Sequence, residues 1–425
     1  MVAAGLEAYR QVLSDPRARA FAVAGFVARL PLSMTGMGIV LLVSLDTGSF
    51  GRAGLVTAVG TVAGAAAAPV WGRVIDRVGQ ARVLILAAVI QNAGLALVIL
   101  SVQLGARLPL TLAAAVVVGA GFSLAGSCVR ARWSHRLADS PLLDTAFAVE
   151  AVLDEVVFIV GPVLVTFLST AFHPALGLGV SAAIGLIGAI ALAAQRSTQP
   201  PIASRHADDG RAHRLPVRTL LPVTFACSAL GAIFGGMEVA VVAFALESGV
   251  LPFTGAILLC WAFGSLLAGV VTGTISWRVT PATRLRVGAV ALAVSLVPLP
   301  FVDRPVVLAG LLALSGMAIA PTLIASVAVT QQAVPTSRLT EALSWCSTGL
   351  AAGLALGAAV IGQLIDDSGA RAGFVGVVGA GVVLIVSVIF VRGYRPLAET
   401  AAVPAPPTGT AAAPPGHPPA ETRWR

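Results

Sequence analysis

The chain has 425 residues, 57% of them hydrophobic and only 11% Asp, Glu, Lys or Arg, where a globular protein carries about 25% charged residues. With a mean hydropathy of +0.93, this composition excludes a soluble enzyme and a disordered chain. The net charge of +8 does not signal nucleic acid, because the 27 basic residues, all arginine, fall in short gaps between apolar runs and form no single patch.

Residues 1–19 are polar and hold Arg10, Arg17 and Arg19. The apolar run that follows reaches residue 45, too long for a signal-peptide core, and reads as a retained first span. A spanning helix needs about 20 mostly apolar residues. Twelve stretches qualify: 20–45, 51–71, 81–103, 108–130, 144–169, 174–195, 219–246, 252–275, 284–301, 304–330, 340–364 and 371–392. The expected fold is all-α, a polytopic membrane protein with twelve transmembrane helices in two six-helix bundles. Backbone in lipid must satisfy its own hydrogen bonds, and helices do so within each segment. The expected organisation is a cytoplasmic segment 1–19, a first bundle 20–195, a cytoplasmic linker 196–218, a second bundle 219–393 and a disordered Pro/Ala-rich tail 394–425.

The distribution of arginine sets the orientation. With the N-terminus inside, 22 arginines fall in cytoplasmic segments, 4 in outer loops (Arg52, Arg107, Arg304, Arg371), and Arg29 within the first span. The bias places both termini in the cytoplasm of a cell-membrane protein.

Between spans 2 and 3 stands GRVIDRVGQARVL (72–84). Gly72 and Gly79 suit a tight turn and close helix approach, and Asp76 with Arg73 and Arg77 suits charge-assisted bonds at a membrane edge. Gly72, Asp76, Arg77, Gly79 and Arg82 resemble the signature loop of the major facilitator superfamily, while Gln80 and Ala81 replace the more usual basic pair. GQLIDDSGARAGF (362–374) is a weaker echo at the end of span 11. The resemblance implies a transporter of two bundles around a central cavity that opens alternately to either side.

Intramembrane ionisable groups are costly and mark function by default. Span 5 carries Glu150, Asp154 and Glu155. At about 100° per residue, Glu150 and Asp154 lie about 40° apart and Glu155 faces elsewhere. Glu150, near the cytoplasmic side with Arg130 and Arg132 of span 4, is expected to form a structural ion pair closing that face. Asp154 and Glu155 are candidates for loading and releasing protons. Arg29 in span 1 can hold an anionic group or pair with an acid. Glu238, after two glycines in span 7, is the acid of the second bundle and a candidate for the cavity wall. Gly161-Pro162 partly resembles a motif of drug-efflux members, and Pro162 alone would kink its helix. Gly349, Gly353 and Gly357 in span 11, with Gly231 and Gly235 in span 7, read as close helix packing.

Cys128, Cys227, Cys260 and Cys346 are far apart and read as apolar filler. There is no phosphate-binding loop for ATP, no metal-ligand spacing and no nucleophilic triad, so no cofactor and no catalysis are expected. The partners expected are the lipid bilayer, a small-molecule substrate and protons. The function expected is secondary active transport of a small organic solute by alternating access, as proton-coupled efflux. Proton-coupled import and a non-transporting scaffold or sensor on the same fold are the alternatives.

Overall fold

The computed structural model describes residues 10–122, 124–137, 140, 142–201, 217–274, 279–333 and 339–391, without the side chains of 217–219, 273–274, 339–341, Asp76, Asp144 and Ser344. Most of the expected linker (196–218) and the whole tail (394–425) lie outside the described residues. The helices are α1 (Pro16–Arg29), α2 (Pro31–Thr47), α3 (Phe50–Val78), α4 (Gln80–Gln103), α5 (Leu108–Ala120), α6 (Ala125–Arg136), α7 (Leu143–Ala171) and α8 (Pro174–Ala194). There follow α9 (Val217–Glu247), α10 (Thr254–Thr274), α11 (Pro281–Leu296), α12 (Pro305–Gly316), α13 (Ile319–Ala333) and α14 (Leu339–Ile389). Proline occupies the first turn of α1, α2, α8, α11 and α12, where its missing N–H costs nothing.

Eleven helical segments among the described residues are long and apolar enough to cross a bilayer. The last, Trp345–Ile389, has 45 residues, about 67 Å of helix against a hydrocarbon core of about 30 Å. It does not run straight. Gly369 has φ 79° and ψ −178°, a conformation essentially restricted to glycine. Beyond it the chain returns along itself: a Cβ on Gly373 would stand 2.7 Å from Ile365 Cγ1, and one on Gly376 3.0 Å from Ile361 Cγ1. In an unbroken helix residues 361 and 376 would be about 22 Å apart. α14 is therefore a hairpin of two arms, so the eleven segments among the described residues amount to twelve crossings, as the hydropathy of the sequence predicts. Glu247 at the end of α9 fixes the return by accepting the Ala370 N–H at 2.7 Å.

Two expected crossings are broken. The first bends at Leu30, where Pro31 supplies no N–H and the Leu30 N–H bonds Val27 O at 3.3 Å. The fourth breaks between α5 and α6 after Gly121, and Trp71 Nε1 of α3 donates to the freed Ala120 carbonyl at 2.7 Å. α3 runs further than expected, to Val78, so residues 72–78 are helix and Gly79 alone makes the turn into α4.

Helices approach closely where side chains are smallest. A Cβ on Gly353 of α14 would lie 1.7 Å from Ser228 O of α9, and one on Gly231 of α9 2.0 Å from Leu350 O. These reciprocal glycine contacts let α9 and the first arm of α14 touch backbone to backbone, as the glycine stripes predict. On the outside, Leu100, Leu110, Phe158, Ile187, Val306 and Phe390 are exposed. Lipid solvates such side chains, so the outward faces need no polar cover.

The two ends of the bundle differ. At the arginine-poor end, α3 packs on α14 and α7 on α10, joining the first six crossings to the last six. Leu41, Phe50 and Val56 there belong to one apolar core with Val242, Ile361 and Ile365. Towards the arginine-rich end Leu285, Val329 and Val388 of the second half still belong to that core, but two smaller groups stand apart from it. Phe21, Trp133 and Val149 form one group with first-half residues only, and Leu220, Ala333 and Ala342 form another with second-half residues only.

Candidate functional site

Arg29 ends α1 next to Leu30, whose backbone stays helical at φ −50° and ψ −40°, and its side chain reaches across to α7. It is only 2% exposed. Nη2 meets Glu150 Oε2 at 2.5 Å and Nη1 meets Asp154 Oδ1 at 2.6 Å, both acids being carried on one stripe of α7. Nε donates to Gly25 O at 3.1 Å. The second oxygen of Glu150 accepts from Trp133 Nε1 at 2.8 Å, and the second oxygen of Asp154 meets Arg130 Nη2 at 2.5 Å. Gly126 of α6 lies against both guanidinium side chains, a Cβ there standing 3.4 Å from Arg29 Cδ and 3.5 Å from Arg130 Nη1. Two guanidinium groups and two carboxylates thus form a charge-balanced chain with every carboxylate oxygen occupied, which offsets the cost of burying it.

Glu150 is in an ion pair, as expected, but with a different arginine. Its cation is Arg29, not Arg130 or Arg132. Arg130 serves Asp154, and Arg132 belongs to a different cluster. Arg132 is fully buried. Its Nε donates to Gln80 Oε1 at 2.9 Å, Nη1 to Thr198 Oγ1 at 2.9 Å and Gln195 O at 3.1 Å, and Nη2 to Leu192 O at 3.0 Å. Gln80 Nε2 in turn donates to Cys128 O at 3.2 Å. All these partners lie in the first half, so Arg132 ties α4, α6 and the end of α8 together and bonds no described residue of the second half. The glutamine that departs from the signature pattern at position 80 is the group that receives Arg132. Arg132→Lys is expected to lower stability by about 1–3 kcal/mol, because one ammonium cannot reach three directions and leaves buried acceptors unpaired. Thermal unfolding in detergent measures this.

The signature turn is only partly as expected. Gly79 is at φ 89° and ψ 159°, again a glycine conformation, and joins α3 to α4 without a loop. Gly72 is not a close-approach position, since a Cβ there would meet nothing within 4 Å. Arg73 Nε donates to Pro69 O at 3.2 Å, and Arg77 and Arg82 are exposed. The side chain of Asp76 lies outside the described residues.

Between the halves stands Glu238 of α9. Its carboxylate faces Gly36 of α2, where a Cβ would lie 3.6 Å from Oε1, and 3.9 Å from Thr57 Cγ2 of α3. Among the described residues no hydrogen bond or ion pair engages Glu238 or Glu155. The buried Oγ1 atoms of Thr35 and Thr57 and the Nε1 of Trp261 also lack partners. Trp261 of α10 meets Phe234 edge to face at 5.5 Å, and Phe234 lies one turn from Glu238 on α9. Gly161-Pro162 lies at a three-way contact: a Cβ on Gly161 would clash with Ser33 Oγ of α2 at 1.9 Å, and one on Gly255 of α10 would lie 2.8 Å from Pro162 O.

The candidates thus separate into a paired network (Arg29, Glu150, Asp154, Arg130), a first-half tie (Arg132) and two acids without partners among the described residues (Glu155, Glu238). Sequence reasoning missed Trp133, Gln80 and Asp366. Trp133 carried a signal, a single indole N–H on the span that faces the acids. Asp366 sits within the GQLIDDSGARAGF echo, and its oxygens accept from Ser49 Oγ at 2.6 Å, Phe50 N–H at 2.6 Å and Gly51 N–H at 2.9 Å.

A twelve-crossing helical bundle with lipid-facing apolar surfaces and ionised groups gathered inside it defines a multi-pass membrane transport protein. The sequence profile of the Major Facilitator Superfamily matches residues 21–305 and 254–424, and the chain belongs to that family. It is a transporter by family and not an enzyme. Among solved structures, it is similar to the nucleoside transporter NupG at 13% identity, with TM-score 0.69 over 90% of this chain and 100% of that one. A mutant form of NupG gives 16% identity and TM-score 0.67, over 88% and 99%. An auto-inhibited POT family peptide transporter gives 13% identity and TM-score 0.66, over 90% and 98%. No curated protein sequence matches.

Proposed function

We propose that the chain is a proton-coupled secondary transporter that exports a small organic solute in exchange for protons. The observation that carries this reading is the placement of Glu238. A carboxyl that no described residue bonds lies where the two halves meet, so its surroundings change whenever the halves rock. Burial favours the neutral acid and exposure the carboxylate, so rocking would make such a group take up a proton on one side and lose it on the other. Glu155, also without a partner among the described residues, is the second proton site. Asp154, held between Arg29 and Arg130, belongs to the network that positions α7 and opens only if an arginine moves. The positive-inside pattern puts the arginine-rich end in the cytoplasm and both termini with it. The two groups that stand apart at that end then correspond to an inward-open state.

The experiment uses protein reconstituted in vesicles with an interior pH dye and a panel of small organic solutes. A true substrate should move protons on addition. Glu155→Gln with Glu238→Gln should abolish that movement while the protein remains folded in the membrane. Proton movement that survives the double change would overturn the coupling assignment.

A further inference from the structure

We infer that Asp366 is a positioning residue for the access step: its carboxylate, carried by the second half, caps the N-terminus of α3 in the first half and holds the arginine-poor end shut. The first amides of a helix have no acceptor within it. At Phe50 and Gly51 those N–H groups are received by Asp366 Oδ1 and Oδ2, and Ser49 Oγ donates to Oδ2 while accepting the Arg52 N–H at 3.1 Å. The donors and the acceptor are separated by 315 to 317 residues of chain, so the cap exists only while the halves touch.

Charge and packing act together here. The positive end of the α3 dipole favours a carboxylate at this point, and three donors on one carboxylate make charge-assisted bonds. Around it the backbones are in contact. A Cβ on Gly362 would lie 2.4 Å from Phe50 O, and one on Gly54 2.1 Å from Ala358 O. No larger residue fits beside the cap, so the carboxylate is brought to the helix end by the closure itself. Glu247 caps the start of the second arm of α14 in the same chemical manner, but within one half. Its bond survives rocking, whereas that of Asp366 must break before the arginine-poor end can open. When the cap breaks, water at the opened end takes over the amides and the carboxylate. The latch therefore biases an equilibrium between two states that both have their polar groups satisfied.

Spin labels on Leu104→Cys and Val306→Cys, one in each half at the arginine-poor end and 79% and 84% exposed in the parent, report opening there. A second pair, Ser134→Cys and Val279→Cys, reports the arginine-rich end. Both pairs are placed in protein whose native cysteines are replaced, in lipid nanodiscs without solute. Asp366→Ala should raise the ratio of long to short distances at the first pair by about two- to tenfold, the size expected for losing one cap on an exposed carboxylate. It should shift the second pair to shorter distances at the same time. Asp366→Asn, with the same shape and no charge, should give a smaller shift in the same directions. Two results would overturn the inference: no shift in either variant of folded protein, or lengthening at the first pair with the second unchanged, which is local loosening only. If Asp366→Ala fails to fold and Asp366→Asn shows no shift, the residue is structural and the inference also fails. No solute or proton movement enters the measurement, so it stands or falls independently of the proposed coupling.

Discussion

Arg29→Met is expected to destabilise the protein by about 3–5 kcal/mol, the cost of leaving a buried charge without its partner. Arg29 and Glu150 are 2% and 0% exposed, so water cannot take over when the guanidinium is removed. Glu150 would keep only the Trp133 indole, a single neutral donor. The Asp154 limb contributes much less. Asp154 and Arg130 are 32% and 46% exposed, and pairs of that kind are worth about 0–1 kcal/mol. Adding Glu150→Gln to Arg29→Met should therefore recover most of the loss. The glutamine is neutral and still offers Trp133 an acceptor, and Asp154 with Arg130 remains balanced. Thermal unfolding of the parent, both single variants and the double variant forms a complete cycle. Additive losses would mean that Arg29 and Glu150 are not coupled. If the double variant is stable yet no longer transports, the network has a role in the cycle beyond holding the fold.

Gly353→Ala and Gly54→Ala add the same methyl group to similar contacts, and are expected to do different things. At Gly353 the new Cβ would lie 1.7 Å from Ser228 O, and at Gly54 2.1 Å from Ala358 O. Neither neighbour is a flexible side-chain tip, so a backbone must shift in both. Gly353 faces α9 within the second half, where the helices have nowhere else to go. Overpacking there should cost about 1–3 kcal/mol, reduced by up to about 1 kcal/mol from the better helix propensity of alanine, and lower the melting temperature. Gly54 faces α14 across the halves. There the clash can be relieved by opening the arginine-poor end with each half intact. Its melting temperature should change little, while the open population at that end rises by about tenfold for each 1.4 kcal/mol of clash. The label pair at Leu104 and Val306 reads that population. Equal losses of melting temperature in both variants would show that the halves are one rigid body.

Much of the site was written in residue types and not in their pairing. That Arg29, Glu150 and Asp154 needed partners followed from the cost of charge in lipid. Their pairing did not follow. Arg130 and Arg132 are two residues apart on α6, so their side chains point about 160° from each other: one meets Asp154 and the other turns inward to Gln80 and Thr198. Nothing in the one-dimensional spacing distinguishes those faces before the helices are docked. Gly72 departs from expectation for the same reason. A glycine on a helix shows its purpose only through what stands opposite, and at Gly72 nothing does.

The amino-acid sequence by itself determined the solvent and the apolar crossings, because these depend on local hydropathy, and it carries the arginine asymmetry from which an orientation is expected. It also determined the backbone at Gly79 and Gly369, where the conformation adopted is one that only glycine adopts readily. Only the tertiary structure decided which acid meets which arginine, which end of the bundle is shut, and that Asp366 caps a helix 317 residues away. Hydrophobic burial does not pair helices in lipid, since tails solvate apolar side chains as well as neighbouring helices do. The pairing is left to close glycine contacts and a few hydrogen bonds, and these are properties of two surfaces together.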